Sequence, residues 1–284
     1  MTFNRDKNIL IVGLGLLGGS YAMALTRKDY HVRAICHSAD TLEYALSHGL
    51  IEAGTTEVTP EAVAWADVVI FGLYPHIFKE WVESYQSYFK PGTVITDVTG
   101  IKGDFVREMQ ALLREDVEYI PAHPMCGKEV SGVENADDKI FNGANYLVTP
   151  TEKNTKEAIE LCRDLGWVLG FYRVVEMDID KHDEIIGFVS QLTHCIAITL
   201  MTCNTKEHLE KYTGDSFRDL TRIAKINDVM WSELFVANKV ALLEQMKEFR
   251  EQFERLEIMI AAEDVDGMRQ LMKNSTARRK LFDK

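Results

Sequence analysis

Near the start of the chain an apolar run, Asn8 to Val12, opens directly into three spaced glycines, Gly13-Leu14-Gly15-Leu16-Leu17-Gly18. Alone, GxGxxG is a weak signal. Here it follows a strand-like run and precedes a helical pattern over Ser20 to Thr26, which is the context that gives the motif its meaning. Gly13 permits the tight turn, Gly15 lets backbone approach a pyrophosphate, and Gly18 lets the helix lie close against the strand. A pyrophosphate there would meet the helix N-terminus, where free N–H groups and the helix dipole favour an anion. Residues 13–18, with Leu14, Leu16 and Leu17 contributing backbone, are therefore the expected dinucleotide-binding segment; the bland alternative is a plain strand-to-helix turn.

The next segments repeat the alternation. His31 to Cys36, Asp67 to Leu73, Thr93 to Asp97, Tyr119 to Ala122, Tyr146 to Val148 and Phe171 to Val175 read as strands, with helical patterns such as Lys102 to Leu113 between several of them. This predicts a mostly parallel sheet covered on both faces, an α/β Rossmann-type domain over residues 1–176. After Glu176 the pattern turns helical. Asp178 to about Glu210 reads as one long helix and Thr213 to Ala224 as a turn and short helix. From Met230 onward, Leu234, Leu242, Met246, Phe249, Phe253, Leu256 and Ile260 recur at helical spacing. Residues 177–284 are thus expected to form an all-α domain. Its elongated apolar faces exceed what one copy buries, which predicts a homodimer through these helices.

The formal net charge of −12 argues against a nucleic-acid partner, which needs a basic surface, but leaves room for a small anionic substrate. Five scattered cysteines without a CxxC pair, and no visible signal peptide, predict a reducing, cytoplasmic location without a disulfide framework. Ile185 to Cys203 is 19 residues without Asp, Glu, Lys or Arg, long enough to span a bilayer. Ser190, Gln191, Thr193, His194, Thr199 and Thr202 interrupt it, so a helix buried in protein is expected and no membrane partner. No metal site is expected.

Three segments carry candidate chemistry. His123, in Ala122-His123-Pro124-Met125-Cys126-Gly127-Lys128, follows a predicted strand, and strand C-termini are where open α/β sheets meet ligands. A histidine there can take the proton of a substrate hydroxyl as hydride leaves the same carbon; a structural role is the alternative. Ser190 and His194 share a helix face and interrupt an apolar run, so they contact either substrate or another helix. Arg218 and Arg222 are also i and i+4. One can pair with Asp215 or Asp219 while the other clamps a carboxylate, for which the guanidinium fork is suited; a charged surface helix is the other reading. At the end of the second strand, Cys36-His37-Ser38 lacks the acid that holds an NAD ribose. Ser38 can donate to a 2′-phosphate and His37 can pair with it or lie on adenine, which favours NADP, or both NADP and NAD.

Together these segments resemble the prephenate dehydrogenase family, which includes arogenate dehydrogenases. The resemblance rests on GLGLLGGS near the start, DVTGIK at 97–102, HPMCGKEVSG at 123–132, HDEIIGFVSQLTH at 182–194, and FRDLTRIA at 217–224 with Met230-Trp231. It implies oxidation of prephenate at its ring hydroxyl, hydride transfer to nicotinamide and loss of CO2, in tyrosine biosynthesis. It implies His123 as catalytic base, and His194 and Arg222 as substrate-binding, with Ser190, Gln191 and Lys128 in the same motifs. Many members carry Ser at the position of Gly100; Thr99 is the expected substitute. Many also differ at Gln191, Thr193, Lys128 and Asp215-Ser216. Asp215 would favour the amine of arogenate and Lys128 an added carboxylate, so both substrates stay open. No fused regulatory domain is expected. Another dehydrogenase of similar layout and a non-catalytic dinucleotide sensor are the competing classes; loss of the usual Ser at Gly100 favours the latter.

Overall fold

A computed structural model describes residues 3–283. The first half alternates β1 (Asn8–Val12), α1 (Leu16–Thr26), β2 (His31–Ile35), α2 (Ala39–Ser47), β3 (Ala53–Thr55), α3 (Pro60–Ala64), β4 (Val68–Phe71), α4 (Pro75–Tyr85), β5 (Val94–Asp97), α5 (Gly103–Leu112) and β6 (Glu118–Tyr119). These six strands form one parallel sheet in the order β3-β2-β1-β4-β5-β6, the doubly wound Rossmann arrangement. The central strands are apolar throughout because both faces are covered: Ile9, Ile11, Val68 and Ile70 pack into one core, Leu10, Val12, Val69 and Phe71 into the other. The reversal of strand order between β1 and β4 opens a crevice beyond their C-terminal ends.

A second sheet departs from the expected single one. Tyr119 to Ala122 reads as one strand, but Pro121 has no N–H to donate and divides it. The chain leaves the first sheet after β6 and enters β7 (Ala122–Pro124), which pairs antiparallel with β8 (Asn145–Val148). After α6 (Lys156–Leu169), β9 (Arg173–Glu176) adds parallel to β8. His123 therefore stands on the small sheet, beside the end of β5, rather than at the tip of a parallel strand.

Beyond Glu176 every element among the described residues is helical. α7 (Ile179–Ile186), a π-helical stretch (Gly187–Leu192) and α8 (Thr193–Thr202) run on continuously. The helix stops there, short of the expected Glu210. Thr202 Oγ1 bonds back to the Ile198 and Thr199 carbonyls, and Asn204 Oδ1 accepts from the Lys206 N–H, drawing the backbone into a local turn. α9 (Asp215–Thr221), α10 (Asp228–Ala237), α11 (Lys239–Ala261) and α12 (Val265–Arg279) complete the chain. Gly187 faces α11, where an added Cβ would make ordinary contact with Ala241 backbone at 3.5 Å.

The run Ile179–Thr202 is long and apolar enough to cross a membrane, with mean hydropathy 1.6 over its most apolar 18-residue window. Burial within one chain covers 28% of its most apolar window, less than the buried helix read from the sequence. Phe188, Val189 and Met201 face outward, as do Phe253, Ile258 and Ile260 on α11. One copy of the helical domain leaves these apolar faces open.

Candidate active site

The glycine segment adopts the shape its spacing predicts. Gly13 has φ +94°, a left-handed conformation, and a Cβ there would meet Leu73 at 2.6 Å and the Gly72 carbonyl at 2.7 Å. A Cβ on Gly18 would lie 1.9 Å from the Gly13 carbonyl, so only glycine lets α1 pack this close. At Gly15 the Cβ direction is open space, and α1 begins there with no side-chain cap. Bare backbone, an open approach and uncapped N–H groups fit the pyrophosphate of a dinucleotide.

At the end of β5 three residues form a buried polar knot. The Lys102 ammonium, fully buried, donates to Asp97 Oδ2 at 2.7 Å and to the carbonyl and hydroxyl oxygens of Thr99, both at 3.0 Å. Burial lowers the Lys102 pKa, opposed by the Asp97 charge. The other Asp97 oxygen accepts the Ala122 N–H at 3.0 Å, which fixes the residue preceding His123.

His123 lies between this knot and the helical domain. Its Nδ1 is 2.9 Å from His182 Nε2, and the Nδ1 of His182 is 2.7 Å from Asp183 Oδ1. Asp183 Oδ1 also accepts the Lys102 N–H at 2.8 Å, so the chain of contacts crosses from one domain to the other and back. The remaining ring nitrogen, Nε2 of His123, faces Gly100: a Cβ built there would be 3.7 Å away and 3.6 Å from Leu234 of α10. Burial, then the neighbouring His182 and Lys102, hold the His123 pKa well below its ordinary value, so the ring is neutral at pH 7.

One turn before Leu234 on α10, the Trp231 ring lies against His194, with ring centroids 3.7 Å apart and planes tilted by 30°. His194 Nδ1 lies 2.9 Å from the Ser190 carbonyl, which leaves Nε2 for a ligand, and burial lowers its pKa. Arg222 reaches from the helical domain to pair with Glu129, six residues after His123. The Glu129 and Arg222 charges both act on His194, so the pair lies beside it. A neutral imidazole, a half-buried imidazole and an arginine–carboxylate pair thus gather where the two domains meet.

Comparison with known proteins accounts for this arrangement. Residues 21–169 match "Prephenate dehydrogenase, nucleotide-binding domain" and residues 178–274 match "Prephenate dehydrogenase, dimerization domain". The chain belongs to the prephenate dehydrogenase family, a family of oxidoreductases. It is 29% identical to the prephenate dehydrogenase of Lactococcus lactis subsp. cremoris, over 91% of this chain and 72% of that one. It is 26% identical to the cyclohexadienyl dehydrogenase of Zymomonas mobilis, over 96% and 95% of the two. The solved prephenate dehydrogenase of Aquifex aeolicus, in complex with hydroxyphenyl propionate and NAD+, superposes with TM-score 0.90 at 28% identity, covering 98% of each chain.

Within this family frame the remaining residues singled out from the sequence have these surroundings in the protein. Thr99 does not substitute for a serine at Gly100, because its hydroxyl bonds Asp97, Ile101 and Lys102 within the buried knot and not His123. Gln191 is buried and joins helices: its amide donates to the Leu234 carbonyl at 3.2 Å and its oxygen accepts from Asn238 at 2.7 Å. Lys128 pairs with Asp137 at 2.9 Å. Asp215 pairs with Arg218 at 2.5 Å and is exposed. Ser190 contributes its carbonyl to His194 and Thr193. Around the second strand, Cys36 is buried, His37 exposed, and Ser38 caps α2 by accepting the Thr41 N–H at 3.2 Å. His182, Asp183 and Glu129 were not singled out. His182 and Asp183 open one family motif and Glu129 sits in another, but nothing in their spacing tells that they meet His123 and Arg222.

Proposed function

We propose that the protein is a prephenate dehydrogenase that oxidatively decarboxylates prephenate to 4-hydroxyphenylpyruvate, with His123 as the base. The observation that carries this is the neutral His123, whose Nδ1 is engaged with His182 and whose Nε2 faces Gly100 beside Leu234 of the helical domain. The ring hydroxyl of the substrate gives its proton to Nε2 as hydride departs from the same carbon. Nicotinamide, when bound, supplies the hydride acceptor. Residues 13–18 would hold the pyrophosphate of the dinucleotide. Arg222 exchanges Glu129 for a substrate carboxylate, and His194, braced by Trp231, donates or accepts at its free Nε2. Loss of CO2 from the ring is driven by aromatisation and leaves a phenolate oxygen, which takes the proton back from His123 Nε2 to give the phenol.

At the adenosine end, Cys36 places no carboxylate against a 2′-phosphate, and Ser38 keeps its O–H to donate while it caps α2. Use of NADP as well as NAD follows, with NADP favoured. Arogenate is the second reading, supported by Glu129, a carboxylate beside the substrate arginine that suits an ammonium group. The domain boundary is placed at 176/177, and two copies join through the uncovered faces of the helical domain. The test is formation of reduced nicotinamide with prephenate and arogenate, each with NAD and NADP. Turnover of neither substrate would sink the proposal. Arg222→Ala should raise KM with little effect on kcat.

A further inference from the structure

The two protein groups behind His123 form an ordered series. A carboxylate only accepts, so the 2.7 Å contact between Asp183 Oδ1 and His182 Nδ1 requires the proton on that nitrogen. Burial holds the His182 pKa down to about 3, so the ring is neutral and its Nε2 carries a lone pair. His123 Nδ1, 2.9 Å from that lone pair, must then be the donor. The neutral His123 is left with its own lone pair on Nε2, toward Gly100.

We propose that His182 and Asp183 are positioning residues for His123, fixing its proton on Nδ1 so that Nε2 is the accepting nitrogen. The inference rests on the reading of His123 as the base. It adds how that base is set, and it ties the setting to domain docking. His182 and Asp183 belong to the helical domain, whereas His123 and the Lys102 N–H that anchors Asp183 belong to the α/β domain. His123 is in its accepting tautomer only when the domains are seated.

The anchor has a dedicated space. Asp183 sits over the first turn of α5, where the Lys102 N–H and the helix N-terminus stabilise its charge. A Cβ on Gly103 would lie 2.6 Å from Asp183 Oδ2. Gly103 has an ordinary backbone conformation, so alanine is tolerated there by the helix and in conflict only with the carboxylate. Lys102, Asp104, Arg107 and Asp180 surround Asp183 within the fold, and His76, Lys79, Glu108 and Glu233 face it across a cleft of ≈ 280 Å³.

Two variants and one spectroscopic measurement test this on the whole chain with saturating cofactor. Long-range 15N–1H correlation of histidine-labelled protein at pH 7.5 reads the tautomer of each ring. The Nδ1–H form is expected for His123 in the unaltered chain, and a mixed or Nε2–H form in His182→Ala. Steady-state rates should show kcat lowered about 10²-fold or more in His182→Ala, and lowered in the same sense in Gly103→Ala. KM for substrate and cofactor should change by less than about threefold in both. Gly103→Ala keeps the test decisive where His182→Ala does not fold. An Nε2–H tautomer in the unaltered chain, or kcat within about threefold in both variants, overturns the proposal. If the unaltered chain turns over neither substrate, the base assignment fails and the positioning role with it. If it does turn over and the variants match it, only the positioning role fails.

Discussion

Lys102→Met removes the one cation from a fully buried pair, and the structure says what is left behind. Asp97 is 0% exposed and faces the Lys102 ammonium at 2.7 Å. Without that ammonium the carboxylate keeps the Ala122 N–H and the Thr99 N–H, each at 3.0 Å, and the Thr99 hydroxyl. Breaking a buried pair by deleting one partner costs about 3–5 kcal/mol, because an uncompensated charge stays in low dielectric. The retained donors place the expected loss near the lower end, about 3 kcal/mol. Urea denaturation at fixed protein concentration, since the chain is expected to dimerise, measures it. Asp97→Asn combined with Lys102→Met should recover most of the loss, because neither ion then remains. A loss below about 1 kcal/mol in the single variant, or no recovery in the double, would refute the view that charge pairing rather than packing holds this knot.

Gly18→Ala should weaken dinucleotide binding at least about tenfold, since its Cβ would sit 1.9 Å from the Gly13 carbonyl and distort the loop; titration calorimetry on the folded variant checks this. Cys36→Asp should shift kcat/KM toward NAD, because a carboxylate accepts from a ribose hydroxyl and repels a 2′-phosphate. Acid should act on His182 and Asp183 in opposite senses. The His182 pKa falls from 6.5 to about 3 on folding, so its contribution is present above 6.5 and is lost as pH falls below it. The Asp183 pKa rises from 3.8 to about 6, so its contribution is present below 3.8 and is lost as pH rises through 6. Between these values the two slopes, each at most about 1.4 kcal/mol per pH unit, oppose one another. Asp183→Asn should therefore lose stability more steeply than the parent between pH 6 and pH 4.5 in urea titrations.

What the sequence made legible was local. The apolar run before Gly13 and the glycine spacing fix the turn because φ > 0 and close packing are properties of those residues alone. His123, His194 and Arg222 were readable as candidates because one follows a predicted strand, one interrupts an apolar run and one repeats an arginine at helical spacing. Their partners were not. The pairing of His123 with His182 joins positions 59 apart, and that of Arg222 with Glu129 joins positions 93 apart, across two domains. Gln191 misled for the same reason: a polar residue in an apolar run signals a partner, and the sequence does not say that Leu234 and Asn238 supply it. Pro121 carried a signal that was available, since a residue without an N–H is a natural place for the chain to leave a sheet.

The most direct test of the central claim is the turnover of His123→Asn with its best substrate and saturating cofactor. If His123 accepts the hydroxyl proton, kcat falls about 10²-fold or more while the dissociation constant of the dinucleotide stays unchanged, because the loop at 13–18 is untouched. A variant that turns over at the parent rate would contradict the assignment.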